Sequence, residues 1–278
     1  MAAKSPAQIA SAFINVSDAK ANLSIPNMIV LGIFAGAYIG FGAELCTIVL
    51  TQTTSHLGLG VAKLLGGSVF SLGLMLVVIG GAELFTGNNL MAVGVCSGKI
   101  RFAQLLNNWF WVYFANFAGS LLMVFIMYQS GLWHTGCNAC GTVALDIAAG
   151  KCNLTWGEAF FRAIGCNWLV CLAVWLAAAS DEIGGKIWGI FFPIMGFVAS
   201  GFEHCVANMY FVPQGIFLKS HPALAEAVKA LGDKADALTW SGFIFNNLIP
   251  VTLGNIVGGA LFVGCAYYFV YLRGKQEA

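Results

Sequence analysis

Ionisable side chains stand within long apolar stretches of this 278-residue chain. Glu83 and Glu203 each precede an asparagine by five positions, Asn88 and Asn208, and His204 follows Glu203 directly. Imidazole titrates near neutral pH, so His204 could donate to an anion or pass a proton along a solute path; a satisfied core histidine is the alternative. A carboxylate beside an interrupted helix can accept from the backbone N–H groups that the interruption frees. We therefore expect both glutamates and both asparagines to stabilise loops, with proton transfer as the alternative role for the carboxylates.

The composition excludes a soluble globular protein. Apolar residues make up 59% of the chain and charged residues only 9%, which is too little charge to cover a water-exposed surface. Such a composition is that of an integral membrane protein. The formal net charge is +1 and no basic tract is present, so nucleic acid is not an expected partner.

Six apolar runs are long enough to cross a bilayer as helices, which takes about 20 residues each. They are Met28–Leu50, Leu64–Phe85, Trp109–Met127, Ala159–Ala179, Ile187–Val206 and Phe243–Tyr271. Polar residues end the second and fifth runs, and a short apolar piece follows each break, at 90–95 and 209–218. The sequence therefore predicts an all-α fold with six transmembrane helices in one domain, residues 28–278, in which helices 2 and 5 are broken.

Residues 1–27 precede these spans and contain no recognisable cleavable signal sequence. Apolar side chains recur there at spacings of three and four, at Ile9, Phe13, Val16, Ala19 and Leu23. This periodicity predicts an amphipathic helix. The helix either lies along the membrane surface or packs on the protein, where it could touch neighbouring subunits.

An even number of spans places both termini on one side of the membrane. That side carries Lys4, Lys20, Lys99, Arg101, Lys186, Arg273 and Lys275, whereas the other carries Lys151, Lys219, Lys229 and Lys234, with Lys63 at a span edge. Because lysine and arginine are enriched on the cytoplasmic side, we expect cytoplasmic termini. The loops 51–62, 129–157 and 219–240 then face outward.

The two halves of the chain resemble each other in their polar residues. Residues 107–124 match 246–263, with a double asparagine nine positions before a single one in both, and residues 81–88 match 201–208. Repeats of three spans, about 28–128 and 158–272, must insert with opposite orientations. Inverted repeats with broken helices indicate a solute path at the membrane midplane. Leu84 stands where the second half has His204, so the symmetry is broken there.

Cysteines cluster in the loop predicted at 129–157. Cys137, Cys140 and Cys152 could form an outer disulfide, bind zinc together with His134, or remain free. Free thiols are the default expectation, and no metal site is predicted. Lys151 in the same loop is either a solvated charge or a basic group that concentrates anions at the outer mouth.

Several segments carry a family resemblance. Residues 78–87 (VIGGAELFTG) and 163–173 (AIGCNWLVCLA) are similar to the two signatures of the formate/nitrite transporter family, and residues 200–209 and 246–255 extend the match over nearly the whole chain. The resemblance implies an aquaporin-like protomer with an inverted 3+3 repeat, a homopentamer with five separate pores, and no cofactor or enzymatic activity. It also implies location in a bacterial inner membrane. The expected cargo is a small weak-acid anion, formate first, with nitrite, hydrosulfide, acetate or lactate as alternatives.

The resemblance also implies roles for individual residues. It places a cytoplasmic constriction at Phe70, Leu74 and Phe197, and a periplasmic constriction at Leu84 and Phe85. Thr86 would hydrogen-bond the substrate or His204. Asn167 and Asn255 would line the path, and Lys151 would lie in the outer vestibule.

A mechanism follows from the cost of moving a bare anion through apolar constrictions. The anion would take a proton in the chamber, from His204 or through water, and cross as the neutral acid together with that proton. The rival is an anion channel with protonated His204 as counter-ion. A neutral-solute channel of the aquaporin type is disfavoured because the loops at Asn88 and Asn208 lack proline and arginine, and a membrane enzyme because no nucleophile–base pair is evident.

Overall fold

A computed structural model describes residues 3–274, so Lys275 and the last residues of the predicted 28–278 domain lie outside the described residues. Within that range the chain is helical and contains no strand. The helices are α1 (Pro6–Ala21), α2 (Ile25–Leu50), α3 (Thr53–Leu57), α4 (Leu59–Gly80), α5 (Ala92–Cys96), α6 (Phe102–Ser130), α7 (Ala139–Cys152), α8 (Trp156–Ala178), α9 (Ile183–Ala199), α10 (Cys205–Lys219), α11 (Ala225–Ala230) and α12 (Gly242–Tyr271). Short 3₁₀ turns lie at Gly87–Met91, Leu132–His134, Pro222–Leu224 and Gly232–Ala235.

Five of these helices are long and apolar enough to cross a membrane: α2, α4, α6, α8 and α12. The fifth predicted span corresponds to α9, an apolar helix of 17 residues, which ends seven residues before the predicted end of that span. The second predicted span likewise ends early, at Gly80 instead of Phe85. In both cases a glycine with positive φ follows, Gly81 at 82° and Gly201 at 77°, a conformation in which other residues are strained.

The amphipathic helix predicted in residues 1–27 is α1, and it packs on the helical bundle. Ser5 caps it in a capping box with Gln8, and Pro6 occupies its first position. Ile9 and Phe13 are buried, and the Phe13 ring stacks on Trp175 with centroids 5.3 Å apart.

One connection that the sequence predicts as a loop contains a helix. The segment predicted as loop 129–157 contains α7, whose buried face packs on α10. Next to it, α8 begins with a capping box in which the Thr155 N–H and hydroxyl both donate to the Glu158 carboxylate. On the opposite side, Lys4 donates to Asp181 between α8 and α9 and lowers its pKa. The ends of the bundle are thus ordered by local polar contacts.

Glycine residues allow close helix crossings on both sides of the bundle. Gly36 on α2 and Gly119 on α6 face each other's helices so closely that a Cβ on Gly119 would lie 2.0 Å from the Ile33 carbonyl oxygen. On the other side of the bundle, Gly254 and Gly258 of α12 approach α8 in the same way. Small residues at such crossings let two backbones meet in a bilayer.

Gly119→Ala is expected to destabilise the protein strongly, by about 3 kcal/mol, because the obstructing atoms are backbone atoms that cannot move aside. The measurement is the thermal unfolding midpoint of the detergent-solubilised protein. Gly196→Ala on α9 is the matched control, since no heavy atom lies within 4 Å of a Cβ there. Equal midpoints for the two variants would contradict the close crossing.

Candidate functional site

The first helix break is held by an ion pair within a cluster of amides. Glu83 accepts from the Lys20 ammonium at 2.5 Å and from the Asn88 amide at 2.7 Å. Asn88 also donates to Asn108 of α6 at 2.8 Å. Glu83 is buried and Lys20 comes from the last turn of α1, so this helix is bound directly to the broken segment.

The second break repeats this arrangement. Glu203 accepts from Lys151 at 2.9 Å and from the Asn208 amide at 2.7 Å. Asn208 donates to Asn247 of α12 at 2.7 Å. Here the lysine comes from the last turn of α7. Glu83 and Glu203 therefore lie in the broken loops where the sequence predicts them, and Asn88 and Asn208 lie in the first turns of the helical segments that follow, Gly87–Met91 and α10.

Asparagines from two long helices bind the loop backbone. Asn116 of α6 accepts from the Phe85 N–H at 2.9 Å and donates to the Glu83 carbonyl at 2.8 Å. Asn255 of α12 accepts from the Cys205 N–H and donates to the Glu203 carbonyl, both at 2.9 Å. The loop amides that we expected the carboxylates to bind are thus bound by asparagines, while the carboxylates bind lysine and asparagine side chains.

Equivalent contacts at the two breaks also involve α1 and α7. Asn108 donates to the Lys20 carbonyl, and Asn247 donates to the Lys151 carbonyl in the same way. The segments around these lysines read KANLS at 20–24 and KCNLT at 151–155. Lys20, Asn108 and Asn247 were not predicted as site residues, although this short match, together with the double asparagines, was available in the sequence.

His204 bridges the two breaks. Its Nε2 lies 2.8 Å from the hydroxyl oxygen of Thr86, and its Nδ1 accepts from the Ala207 N–H at 3.0 Å, which caps α10. Because Nδ1 accepts a backbone N–H, the ring proton is on Nε2 and points at Thr86. The His204 residue is 3% exposed, and both of its ring nitrogens make hydrogen bonds.

Two cavities lie beside the helix breaks, and His204 lines one of them. One, of about 210 Å³, is lined by Lys63, Lys151, Glu203 and His204, and we call it the Lys151 cavity. The other, of about 440 Å³, is lined by α1 residues including Lys20, with Glu83 and Lys186, and we call it the Lys20 cavity. A small solute in the Lys151 cavity can reach the imidazole directly.

The constriction residues are grouped differently from the prediction. Phe70 and Phe197 line the Lys151 cavity, with ring centroids 5.8 Å apart and an edge-to-face geometry, whereas Leu74 and Leu84 line the Lys20 cavity. The cavities thus group Leu74 with Leu84, while the assignment of the two constrictions stays a prediction. The reason for this grouping is the helical rise of about 6 Å between residues four apart, which places Leu74 nearer the break than Phe70 along α4. All four side chains are 1–3% exposed.

Three further predicted residues lie behind the path. Phe85 packs edge-on against Tyr113 at 4.9 Å and lines a lateral groove between α6 and α12 instead of either cavity. Asn167 donates to the carbonyls of Thr86 and Asn255. Neither Asn167 nor Asn255 is among the lining residues of the two cavities; both hold the loops in place.

A family model described as formate/nitrite transporter matches residues 7–269. The chain belongs to the formate/nitrite transporter family. It is 47% identical to a probable formate transporter of Methanothermobacter thermautotrophicus, over 97% of this chain and 98% of that protein. It is 42% identical to the formate channel FocA of Escherichia coli K12, over 87% and 86%. A solved structure described as a pentameric formate channel with formate bound has 42% identity and a TM-score of 0.82, and the match covers 90% of this chain and 98% of that one.

Three free cysteines lie in or next to α7 of this formate/nitrite transporter. Cys137 is exposed, while Cys140 and Cys152 are buried, and all three are free. Within residues 3–274 no group of three or more histidine, cysteine, aspartate or glutamate side chains is arranged to hold a metal ion.

Proposed function

We propose that this chain forms a homopentamer in the cell membrane and passes small monovalent weak-acid anions, formate first, through a separate pore in each protomer. Each protomer crosses the membrane six times, with α9 and α10 as the broken fifth crossing and both termini in the cytoplasm. The names of the relatives and the pentameric formate-bound structure support this proposal. The enclosed position of His204 between the two constrictions is the observation that carries it.

The path of the anion follows from the geometry. A cationic vestibule receives the anion, which then meets Phe70 and Phe197. Beyond them the Nε2–H of His204 and the Thr86 hydroxyl are the polar groups at the centre. An anion that accepts a hydrogen bond from His204 there and takes a proton delivered through water becomes a neutral acid, and the neutral acid avoids the high cost of a bare charge at Leu74 and Leu84.

The hydrogen bonds of His204 favour proton-coupled transport over the rival anion channel. A counter-ion role requires a second ring proton on Nδ1. That proton would face the Ala207 N–H and remove a cap from α10. The positive end of the α10 dipole would also oppose a cationic ring at this position.

The test is flux in proteoliposomes that contain a pH dye, with formate, nitrite, hydrosulfide, acetate and glycerol offered separately at pH 7 and pH 5. We expect saturable formate flux accompanied by proton flux in the same direction. Hydrosulfide or nitrite flux with little formate flux would keep the mechanism and change the cargo. Formate current without proton flux would establish the anion channel, and glycerol flux without anion flux would overturn the proposal.

A further inference from the structure

Each cavity holds two lysines, of which only one is paired. In the Lys151 cavity, Lys151 binds Glu203 at 2.9 Å and lies over the Phe211 ring at 5.4 Å. Lys63 lines the same cavity and is exposed, and no carboxylate of residues 3–274 lies within 4 Å of its ammonium. Glu203 is thus fully engaged by one cation while the other remains uncompensated.

The Lys20 cavity has the same composition. Lys20 binds Glu83, whereas Lys186 lines this cavity without a carboxylate within 4 Å among the described residues. Lys186 acts electrostatically on Asp181, but that carboxylate is bound to Lys4. With two lysines and one glutamate lining it, each cavity carries one net positive charge, and that charge lies on Lys63 or Lys186.

The two unpaired lysines also lie at similar places on the two broken helices. Lys63 lies near the first turn of α4 and Lys186 near the first turn of α9, and these are the helices that end at the two breaks. The Lys63 ammonium reaches over the opposite break, 3.7 Å from where a Cβ of Gly201 would stand. Each broken helix therefore carries a lysine near its first turn, and that lysine lies beside the break of the other helix.

We propose that Lys63 and Lys186 are the residues that attract the anion to the two mouths, and that Lys151 and Lys20 serve to fix the broken loops. This inference rests on the proposed anion transport. A lysine paired at 2.9 Å presents a dipole, whose field decays faster with distance than that of an unpaired charge. A single uncompensated charge within about 10 Å of the path raises the local anion concentration, and salt screens the effect.

The test compares Lys63→Gln and Lys63→Glu with wild type in formate uptake by proteoliposomes at about 10 mM and 1 M ionic strength. At low salt we expect uptake to fall about threefold in Lys63→Gln and about tenfold in Lys63→Glu, with less than about twofold differences at high salt. Lys63→Arg should match wild type. Lys229→Glu is the matched control, because Lys229 is an exposed lysine on α11 that lines neither cavity.

The outcomes separate the two proposals. Equal uptake by wild type and Lys63→Glu at low salt, or a loss that high salt does not relieve, overturns the role of Lys63 alone. If wild type passes nitrite or hydrosulfide but not formate, the same ratios are measured with that anion. If wild type passes none of these anions, both proposals are overturned.

Discussion

Replacing His204 by asparagine is expected to lower formate-driven proton flux by roughly 10- to 100-fold while the protein remains folded. Asparagine is a favoured helix-capping residue, so its side-chain oxygen can still accept from the Ala207 N–H at the start of α10. The variant lacks the Nε2–H that points at Thr86. A hydrogen bond to a charged group contributes about 1.5–3 kcal/mol, which corresponds to this range of rates. The measurement is internal pH and formate uptake in the same proteoliposomes, with thermal unfolding as the check on folding.

Thr86 provides the matched controls for this experiment. Thr86→Ser retains the hydroxyl next to His204 and should behave like wild type, whereas Thr86→Val removes it and should reduce the same proton flux. Formate flux that persists in His204→Asn without accompanying protons would support the role of the His204 Nε2–H in holding the anion while it is protonated. A proton-to-formate ratio and a pH dependence unchanged from wild type would contradict any role of His204 in the transport step.

The position of the helix breaks could be predicted from sequence because polar residues mark them. The pattern of glutamate followed five residues later by asparagine occurs twice, and both copies lie at the helix breaks. Helix ends were less accurate. Hydropathy counts Leu84 and Phe85 as part of a span, but they are apolar residues of a loop, buried by neighbouring helices. Hydropathy measures preference for an apolar surrounding and carries no information on backbone conformation.

Contacts between distant segments of the chain are what the sequence could not predict at the two breaks. Lys20 precedes Glu83 by 63 positions, and its charge alone placed it among cytoplasmic surface residues until the structure paired it with a buried carboxylate. The family resemblance implies that Asn167 and Asn255 line the path, but their side chains donate to carbonyl groups at the breaks, and polar groups in a bilayer can satisfy freed backbone groups in this way. The choice between these roles depends on side-chain direction, which spacing in the sequence does not determine.

Removing Glu203 is expected to have the largest effect on stability. In Glu203→Ala, the Lys151 ammonium loses its carboxylate, and the Asn208 and Asn247 amides lose an acceptor. Breaking a buried ion pair by deleting one partner costs about 3–5 kcal/mol, because the remaining charge stays buried. For a chain of this size we expect the unfolding midpoint in detergent to fall by roughly 10 °C. The equivalent variant Glu83→Ala should lose less, because the Lys20 side chain is 24% exposed against 14% for Lys151.

A double variant separates the ion pair from the shape of the loop. Lys151→Met combined with Glu203→Gln removes both charges and keeps an amide oxygen that can accept from Asn208 and Asn247, so most of the lost stability should return. If Lys151 holds the loop and Lys63 attracts the anion, this double variant should also keep low-salt formate uptake within about twofold of wild type. Additive losses of stability from the two single changes would contradict the buried pair. A tenfold loss of uptake in a stable double variant would instead assign the attraction of the anion to Lys151.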